Sequence, residues 1–358
     1  MSDFWGNKIK LGIFGESHGP AVGVVIDGVP PGLELDLDLI NAEMLRRAPG
    51  RGRSSTSRRE NDAVEILSGF FSGKTTGSAL CGLIRNSDAH SSDYEEIKKF
   101  LRPGHADYTG AIRYRGFNDY RGGGHFSGRL TAPLLFAGAV CKQFLLRGGI
   151  RVFGRVKRIA GIEDMEISYE KLPPYEVFQK AAEREVPALN DLLAGRMLAR
   201  ILEAKKEADS VGGVLELFAT GLPAGLGNPF FDSIESEIAH LAFSVPAVKG
   251  IEFGLGFGFA DQKGSEANDP FYFEDGKIIT GTNNNGGILG GITSGMPLVY
   301  RVALKPTPSV GVRQRTVDVE KMEGAEFSVK GRHDPCVAVR ALPVMEAVTA
   351  VALADFLV

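Results

Sequence analysis

The stretch RLTAPLLFAGAVCKQFLLRGG, residues 129–149, has helical spacing and is apolar on nearly every side of the predicted helix. A helix without a polar face is buried between layers and does not lie on a surface. A second apolar tract, residues 341–358, is interrupted by Pro343, Glu346 and Asp355. It therefore predicts a buried C-terminal helix and not a membrane span.

The segments around these two helices alternate between strand-like and helix-like patterns. Short β-branched runs bounded by glycine and proline predict strands at residues 8–14, 21–28 and 296–304. Apolar residues recur at helical spacing in residues 36–48, 188–207 and 231–244, and the charged segment 166–193 is typical of a helical insertion. The aromatic alternation of GLGFGF, residues 254–259, predicts a further strand. The pattern indicates an α+β fold with helices enclosed by sheets, and no linker divides residues 1–358 into more than one domain.

Composition narrows the class of protein. The net charge of -3 gives no overall attraction to nucleic acid or to an anionic membrane, so we expect neither as a partner. The three cysteines lie far apart and form no CxxC pair, which favours reduced thiols, a cytoplasmic location and no metal site. The N-terminus MSDFWGNKIK has no signal-peptide pattern.

An arginine-rich segment, RRAPGRGRSSTSRRE at residues 46–60, offers local positive charge. A solvated charged face is one interpretation. The interleaved glycine, serine and threonine favour a loop instead, and several arginine forks suit a small, highly charged anion. Nucleic acid is a third candidate, although no aromatic residue lies within the run.

The stretch SGFFSGKTTG, residues 68–77, resembles a P-loop, but Ser68 stands where the first glycine is needed. A nucleotide phosphohydrolase therefore remains a minor alternative.

Three histidines lie in loops rich in glycine or proline: His18 in GESHG, His105 in RPGHAD and His333 in GRHDP. Loops on a rigid scaffold commonly carry groups that transfer protons. Asp334 follows His333 and is a candidate base. His240 has the pattern of a packed or capping helical residue, and His90 that of a surface loop.

A glycine-rich segment at residues 283–291 and the sequence KPTPS at residues 305–309 predict a second anion site. Lys305, Thr307, Ser309 and backbone N–H groups together could hold a phosphate. These patterns indicate an enzyme that acts on a small polyanion with histidine acid–base groups. They do not define the reaction.

Several longer motifs resemble the chorismate synthase family. They are GESHGPAVGVVIDGVPPG (15–32), RPGHADYTG (102–110), DYRGGGHFSGRLTA (119–132) and GRHDPCVAVRALPVMEA (331–347). GLPAGLGNPFFDSIESEIAHLAFSVPAVKG (221–250) and GGILGGITSGMP (286–297) are also similar, so the resemblance covers nearly the whole chain.

The resemblance implies a fold, a reaction and a cofactor. The fold is a β-α-β sandwich with helices between antiparallel sheets, assembled as a homotetramer. The reaction is loss of phosphate and the C6 hydrogen from 5-enolpyruvylshikimate 3-phosphate to give chorismate, the last step of the shikimate pathway. Reduced FMN is required without net redox change, and NADPH is one source of its electrons.

The resemblance also implies roles for individual residues. His18 would protonate the departing phosphate, His105 would maintain the flavin's protonation state, and Asp334 would assist deprotonation at flavin N5. Substrate binding is expected at Arg47, Arg53, Arg102 and Arg129, although Arg47 and Arg53 are also matched to NADPH contacts. Flavin contacts are expected at His125, Phe126, Ser127, Pro246, Ala247, Gly290, Lys305, Pro306, Thr307, Pro308, Ser309 and Arg332.

Some of these positions depart from the family's usual residues. His125 and Phe126 replace arginine and serine, Pro246 replaces asparagine, and Gly128 replaces alanine. These departures leave open a second interpretation, a flavin- or phosphate-binding protein that has lost catalysis.

Overall fold

Two five-stranded sheets enclose a layer of helices in the computed structural model, which describes residues 3–50, 52–55, 60, 62–87, 98–329 and 333–358. The helices of this part of the chain are α1 (Leu37–Arg47), α2 (Asp107–Arg113), α3 (Thr131–Arg147), α4 (Tyr175–Ala182), α5 (Asp191–Lys206), α6 (Ile234–Ser244), α7 (Gly264–Ala267) and α8 (Ala338–Leu357). Short 3-10 segments occupy Arg121–Phe126, Gly128–Leu130 and Gly256–Asp261.

The strands fall into two large sheets and several hairpins. They are β1 (Phe4–Trp5), β2 (Lys10–Gly15), β3 (Ala21–Asp27), β4 (Val64–Ser68), β5 (Phe70–Phe71), β6 (Lys74–Thr75), β7 (Leu80–Arg85), β8 (Arg151–Ile159), β9 (Ile162–Glu163), β10 (Gly213–Thr220), β11 (Val248–Phe253), β12 (Phe271–Glu274), β13 (Lys277–Thr280), β14 (Ile288–Leu289), β15 (Ile292–Thr293), β16 (Leu298–Leu304), β17 (Gln314–Asp318) and β18 (Glu323–Phe327). The first sheet has the order β1-β2-β3-β7-β4 and the second β11-β16-β10-β8-β9. Neighbouring strands are antiparallel in both sheets.

The helix layer explains why the two long helices are apolar all around. α3 packs against β2, β3 and β7 of the first sheet, α8 packs against β8 and β10 of the second, and the two helices pack against each other. α1 and α6 complete the layer beside them. The predicted α+β sandwich with enclosed helices is confirmed.

A small-residue contact sets the distance between the two central helices. A Cβ added at Gly138 of α3 would lie 2.1 Å from the Cβ of Ala347 in α8. No side chain fits at position 138, so glycine is what lets the helices approach. α3 ends at Arg147 with Gly148 as its C-cap, and Gly149 takes the left-handed conformation (φ 76°) that commonly terminates a helix.

Two local predictions change in the structure. Residues 256–261 form a 3-10 segment and not the expected strand, because Gly254 and Gly256 adopt positive φ values of 55° and 58°. Residues 68–77 form the end of β4 and the β5–β6 hairpin. They do not form the strand–loop–helix of a nucleotide-binding P-loop, so that alternative is not supported.

The segment Gly128–Arg147 is long and apolar enough to cross a bilayer by length and composition alone. In the fold, 72% of its most apolar 18-residue stretch is buried inside the protein. α3 is therefore a core helix of the sandwich.

Candidate active site

A cavity of about 1020 Å³ opens where one end of the helix layer meets several loops. Its wall comes from β1, the loop 102–106, the glycine-rich segment 122–131, the end of α6, the loop 305–309 and the start of α8. Because these segments are distant in sequence, only the folded sandwich brings them together.

Most of the predicted site residues line this cavity. They are Arg47, Arg102, His105, His125, Phe126, Ser127, Arg129, Pro246, Ala247, Lys305, Thr307, Pro308, Ser309 and Asp334. The structure thus places three arginines in the wall of the same cavity as the loop that was predicted to hold a phosphate.

Four predicted residues of the described part of the chain are not part of the cavity wall, namely Arg53, Gly290, Pro306 and His18. The Arg53 side chain is 73% exposed and lies near Glu185. Gly290 lies in the turn between β14 and β15, and Pro306 is exposed between two lining residues. Arg332 lies outside the described residues, as does His90.

The fourth of these, His18, stands directly behind the wall. Its ring lies against Gly122, which does line the cavity, and a Cβ added at Gly122 would lie 2.1 Å from His18 Cε1 and Nδ1. Gly122 has φ 60°, a conformation that glycine adopts readily. Because Gly122 has no side chain, only its backbone separates the His18 ring from the cavity.

His105 is oriented by a carboxylate that the sequence analysis did not single out. Its Nδ1 lies 2.7 Å from Asp107 Oδ1, and Arg102 Nη2 lies 2.6 Å from the same oxygen. Arg102 Nη2 also lies 3.1 Å from the same Nδ1, so this nitrogen is held between a carboxylate and a guanidinium, and Nε2 faces Gly123. Burial opposes ionisation of Asp107, but the hydrogen bonds from Arg102 and His105 outweigh it and hold the pKa of that carboxyl below its usual range.

Arg47 and Arg129 share a second buried carboxylate, Asp62. Arg47 Nη2 donates to Asp62 Oδ2 at 2.8 Å, and Arg129 Nη1 donates to Asp62 Oδ1. Glu60 adds a further ion pair to Arg129 at 3.0 Å. Burial alone would raise the pKa of Asp62, but the charges of Arg47 and Arg129 lower it, so the carboxyl is ionised between them.

Asp334 is fixed by side-chain and backbone contacts. Arg340 Nη1 donates to Asp334 Oδ2, and Thr307 Oγ1 donates to the Asp334 backbone oxygen at 2.8 Å. Arg340 belongs to the first turn of α8 and lines the cavity. Asp334 is therefore tied both to the helix layer and to the loop 305–309.

The loop 305–309 is itself attached to neighbouring walls. The Lys305 backbone N–H donates to the Ala247 oxygen at 2.9 Å, and Lys305 Nζ donates to the Gly104 oxygen at 2.5 Å. Ser309 Oγ accepts from Arg102 Nη1 at 3.2 Å. Ala247 has φ 77°, a strained conformation for a residue other than glycine, and such strain is concentrated at functional sites.

His125 occupies the position where the family usually has arginine, and acceptors lie at both its ring nitrogens. Nδ1 lies 3.1 Å from the Gly15 oxygen and Nε2 lies 3.1 Å from Asp3 Oδ1. The imidazole thus connects the glycine-rich segment to the N-terminal strand region.

His333 also lines the cavity, next to Asp334. Burial, together with the positive charge of Arg102, lowers its pKa to about 4 despite the attraction of Asp334. Its Nε2 atom is buried without a hydrogen-bond partner in the part of the chain that the structure describes. At neutral pH this imidazole is uncharged.

The sequence analysis missed Asp62, Asp107, Glu60 and Arg340. Asp107 stands two residues after His105, so a His-x-Asp spacing was an available signal. Arg340 stands inside the quoted motif 331–347. Asp62 and Glu60 carry no local signal, since their role depends on contacts with α1 and with the segment after the glycine run.

The described residues contain no cluster of histidine, cysteine and carboxylate side chains that could hold a metal ion. The fold and cavity therefore define an α+β protein with a cavity lined by arginines, histidines and carboxylates, a set of side chains that suits small anions.

Comparisons with known proteins agree with this class. The family model described as chorismate synthase matches residues 9–358. Chorismate synthase from Thermococcus gammatolerans is 50% identical over 98% of this chain and 96% of its own length, and the Dehalococcoides mccartyi enzyme is 46% identical over 99% and 96%. A crystal structure of chorismate synthase has a TM-score of 0.77 at 31% identity and covers 99% of this chain and 92% of its own. The chain belongs to the chorismate synthase family and is an enzyme, a lyase.

Proposed function

We propose that this enzyme converts 5-enolpyruvylshikimate 3-phosphate to chorismate by anti-1,4-elimination. The C–O bond to phosphate and the C6–H bond break, and a ring double bond forms, so the reaction has no net redox change. One observation carries the proposal: a single cavity brings three arginines (Arg47, Arg102 and Arg129) together with His105 and Asp334. A substrate with a phosphate and carboxylates needs such converging cations.

The proposed acid–base roles of the two histidines and of Asp334 depend on where each side chain lies relative to the cavity. His18 is the proposed donor to the departing phosphate, because it lies behind Gly122 at the cavity wall. His105 lines the cavity, and Asp107 and Arg102 both contact its Nδ1, so Nε2 is the ring nitrogen proposed to exchange protons. Asp334 is the proposed proton acceptor, and its salt bridge to Arg340 positions it.

The residues present fit reduced FMN. The cavity wall includes the apolar residues Trp5, Ile13 and Leu134, and the loop 305–309 supplies Lys305 and polar groups. This combination suits a planar ring system with a phosphate arm. A Cβ at Gly123 would lie 3.2 Å from His105 Nε2, so the glycine run makes room that a side chain would fill.

The flavin contacts are proposals carried from the family motifs. Lys305, Thr307 and Ser309 would hold the phosphate arm, and Ser127, Ala247 and Pro308 would contact the rest of the flavin, with the other family-matched positions His125, Phe126, Pro246, Gly290, Pro306 and Arg332. Bound reduced FMN would supply transient electron density to the breaking C–O bond. The protein's own contribution is positioning, charge and proton transfer.

An anaerobic assay tests the function. The purified protein is incubated with 5-enolpyruvylshikimate 3-phosphate and photoreduced FMN, and chorismate and phosphate are measured. Formation of both at equal rates supports the proposal. FMN binding without product supports instead the non-catalytic binding protein, and a His125→Arg, Phe126→Ser double variant that gained turnover would locate the cause in the altered loop.

NADPH as the reductant is a separate proposal. Arg47 lines the cavity, whereas Arg53 is exposed outside it, so the two do not form one contact surface among the described residues. The same anaerobic assay with NADPH and oxidised FMN, without photoreduction, distinguishes the two sources. Chorismate formation assigns flavin reduction to this protein, and its absence assigns it to a separate reductase.

We also propose that residues 1–358 form one domain and assemble as a cytoplasmic homotetramer. One hydrophobic cluster includes residues of both sheets and the helix layer, which supports a single domain. Phe230 and Phe231 are 92% and 85% exposed with ring centroids 6.1 Å apart, and contiguous exposed apolar side chains are typical of association surfaces. Light scattering after gel filtration gives the mass, and a monomer would contradict the assembly.

A further inference from the structure

The arginines of the cavity differ in how many N–H groups the protein itself already uses. A guanidinium carries five N–H donors. An arginine that binds a ligand anion must have donors left over, or must give up a bond within the protein. The hydrogen bonds of each lining arginine therefore show which of them is available.

Arg47 already uses nearly all of its N–H donors for hydrogen bonds within the protein. Its Nε and Nη2 donate to Asp62 at 3.1 and 2.8 Å, and its Nη1 lies 3.2 Å from both the Gly128 oxygen and Thr131 Oγ1. These four contacts leave one of the five N–H groups for a ligand.

Arg129 is engaged to the same degree. Its Nε donates to Asn86 Oδ1 at 2.9 Å, its Nη2 to the Arg85 oxygen at 3.1 Å, and its Nη1 contacts both Asp62 and Glu60. Arg102 uses its Nε, Nη1 and Nη2 on Asp107, Ser309 and His105 Nδ1.

Arg340 uses fewer of its N–H donors within the protein than Arg47 and Arg129 do. Its Nε donates to the Arg47 backbone oxygen at 2.8 Å, and one Nη1 N–H donates to Asp334 Oδ2. The second Nη1 N–H and both Nη2 N–H groups have no partner within the described residues. The side chain is 22% exposed and lines the cavity, so these donors are available to a ligand.

The charges around Arg340 favour an anion beside it. Burial lowers the pKa of Arg47 to about 10, and the nearby charges of Arg340 and Arg129 add to this against the attraction of Asp62. Neighbouring guanidinium groups that repel one another are stabilised when an anion binds between them.

We propose that Arg340 binds an anionic group of the substrate and at the same time positions Asp334 and Arg47. This inference rests on the proposed function, because it takes the substrate to be a polyanion. Arg340 is a binding and positioning residue that the family motifs did not assign in the sequence analysis. It links the carboxylate that accepts a proton to the arginines that hold the substrate.

The test compares Arg340→Gln and Arg340→Lys with an exposed control, Arg200→Gln on α5. Substrate affinity is measured by titration calorimetry with oxidised FMN present, and kcat and KM are measured with photoreduced FMN. Loss of charge-assisted hydrogen bonds should weaken substrate binding by roughly 10- to 100-fold in Arg340→Gln. FMN affinity should change much less, and Arg200→Gln should match the wild type.

Two further measurements separate binding from a merely structural role. Arg340→Lys keeps the charge without the fork, so it should recover part of the affinity. Methylguanidinium added at low millimolar concentration should raise the turnover of Arg340→Gln but not that of the control. If Arg340→Gln does not fold, the substrate affinity of Arg340→Lys tests the proposal instead. It is expected to be severalfold weaker than that of the wild type.

Some outcomes would overturn the inference. Substrate affinity within about twofold of the wild type in both variants contradicts it while leaving the proposed function intact. Wild-type protein that binds the substrate but forms no chorismate contradicts the proposed function alone, because the affinities of the variants still report on Arg340. Absence of substrate binding by the wild type contradicts both.

Discussion

His105 Nδ1 and Arg102 Nη2 converge on one oxygen of Asp107, at 2.7 and 2.6 Å. Together with Arg102 Nη2, which lies 3.1 Å from Nδ1, this carboxylate fixes the direction in which the second ring nitrogen points. The structure thus explains why a histidine in a glycine-bounded loop can hold one orientation at the cavity.

Asp107→Asn should lower kcat tenfold or more, because the imidazole loses the acceptor that orients it. The pKa of Asp107 is below its ordinary value of about 3.8 in the folded protein. Its contribution to stability is therefore complete above pH 4 and is lost as the pH falls through the folded pKa.

Chemical unfolding between pH 2 and pH 7 checks the second expectation. Asp107→Asn should be less stable than the wild type by about 3 kcal/mol at pH 7, and the difference should shrink below pH 4. Glu326→Gln, which removes an exposed partner of Arg313, is the control and should show no such convergence. A difference that is constant over the whole range would contradict the assignment.

Gly122→Ala should abolish most of the turnover while the fold is retained. The added methyl group would lie 2.1 Å from the His18 ring, so the histidine must move away from the wall. Gly149→Ala is a matched control, since Gly149 also has positive φ (76°) but nothing lies within 4 Å of the added atom. Both variants carry a similar backbone cost of about 1 kcal/mol.

The measurements are kcat and the thermal midpoint of each variant. Similar midpoints with a large loss of kcat only in Gly122→Ala support the position of His18 behind the wall. Equal kcat values for Gly122→Ala and Gly149→Ala would indicate that His18 has only a structural role.

The helix layer was predictable because burial on all sides leaves a signature in the sequence of α3 itself. The pairing of Arg47 and Arg129 through Asp62 was not, since the three residues come from α1, from the segment before β4 and from the loop after the glycine run. Local patterns report local structure and burial, whereas this cluster forms only when the first sheet packs on the helices.

Two errors have local causes. Aromatic alternation in residues 254–259 imitates a strand, but positive φ at Gly254 and Gly256 turns the backbone into a 3-10 segment. Asp107 opens α2 only two residues after His105, and its contact with the imidazole depends on how that turn folds.

Asp62→Asn should destabilise the protein by roughly 3 to 5 kcal/mol, because it leaves two buried guanidinium groups without their shared counter-charge. It should also raise KM for the substrate, since both arginines lose their fixed geometry. Glu65→Gln removes the partner of the exposed Arg85 and should leave the unfolding midpoint nearly unchanged. Urea unfolding and steady-state kinetics measure both effects, and similar midpoints for the two variants would be the contrary result.

Gly138→Ala should destabilise the protein by about 1 to 3 kcal/mol, because the added Cβ would lie 2.1 Å from Ala347 and force α3 and α8 apart. Gly195→Ala in α5 is the matched change in another helix, and nothing lies within 4 Å of its added atom. It should stabilise the protein by up to about 1 kcal/mol. Opposite shifts of the denaturant midpoint support the close helix contact, whereas two shifts of the same sign would contradict it.

His333 gives the last prediction, on acid sensitivity. Its pKa is about 4 in the folded protein and about 6.5 when unfolded, so the unfolded chain binds the proton more readily between these values. Folding stability attributable to this group is therefore complete above pH 6.5 and falls by roughly 3 kcal/mol as the pH decreases to 4. His333→Gln should lose this part of the pH dependence, and the imidazole signal that disappears from its NMR spectrum should be one that titrates near pH 4 in the wild type. An imidazole at position 333 that titrates near 6.5 would show that its nitrogen is solvated. The prediction of a buried, uncharged histidine beside Asp334 would then be wrong.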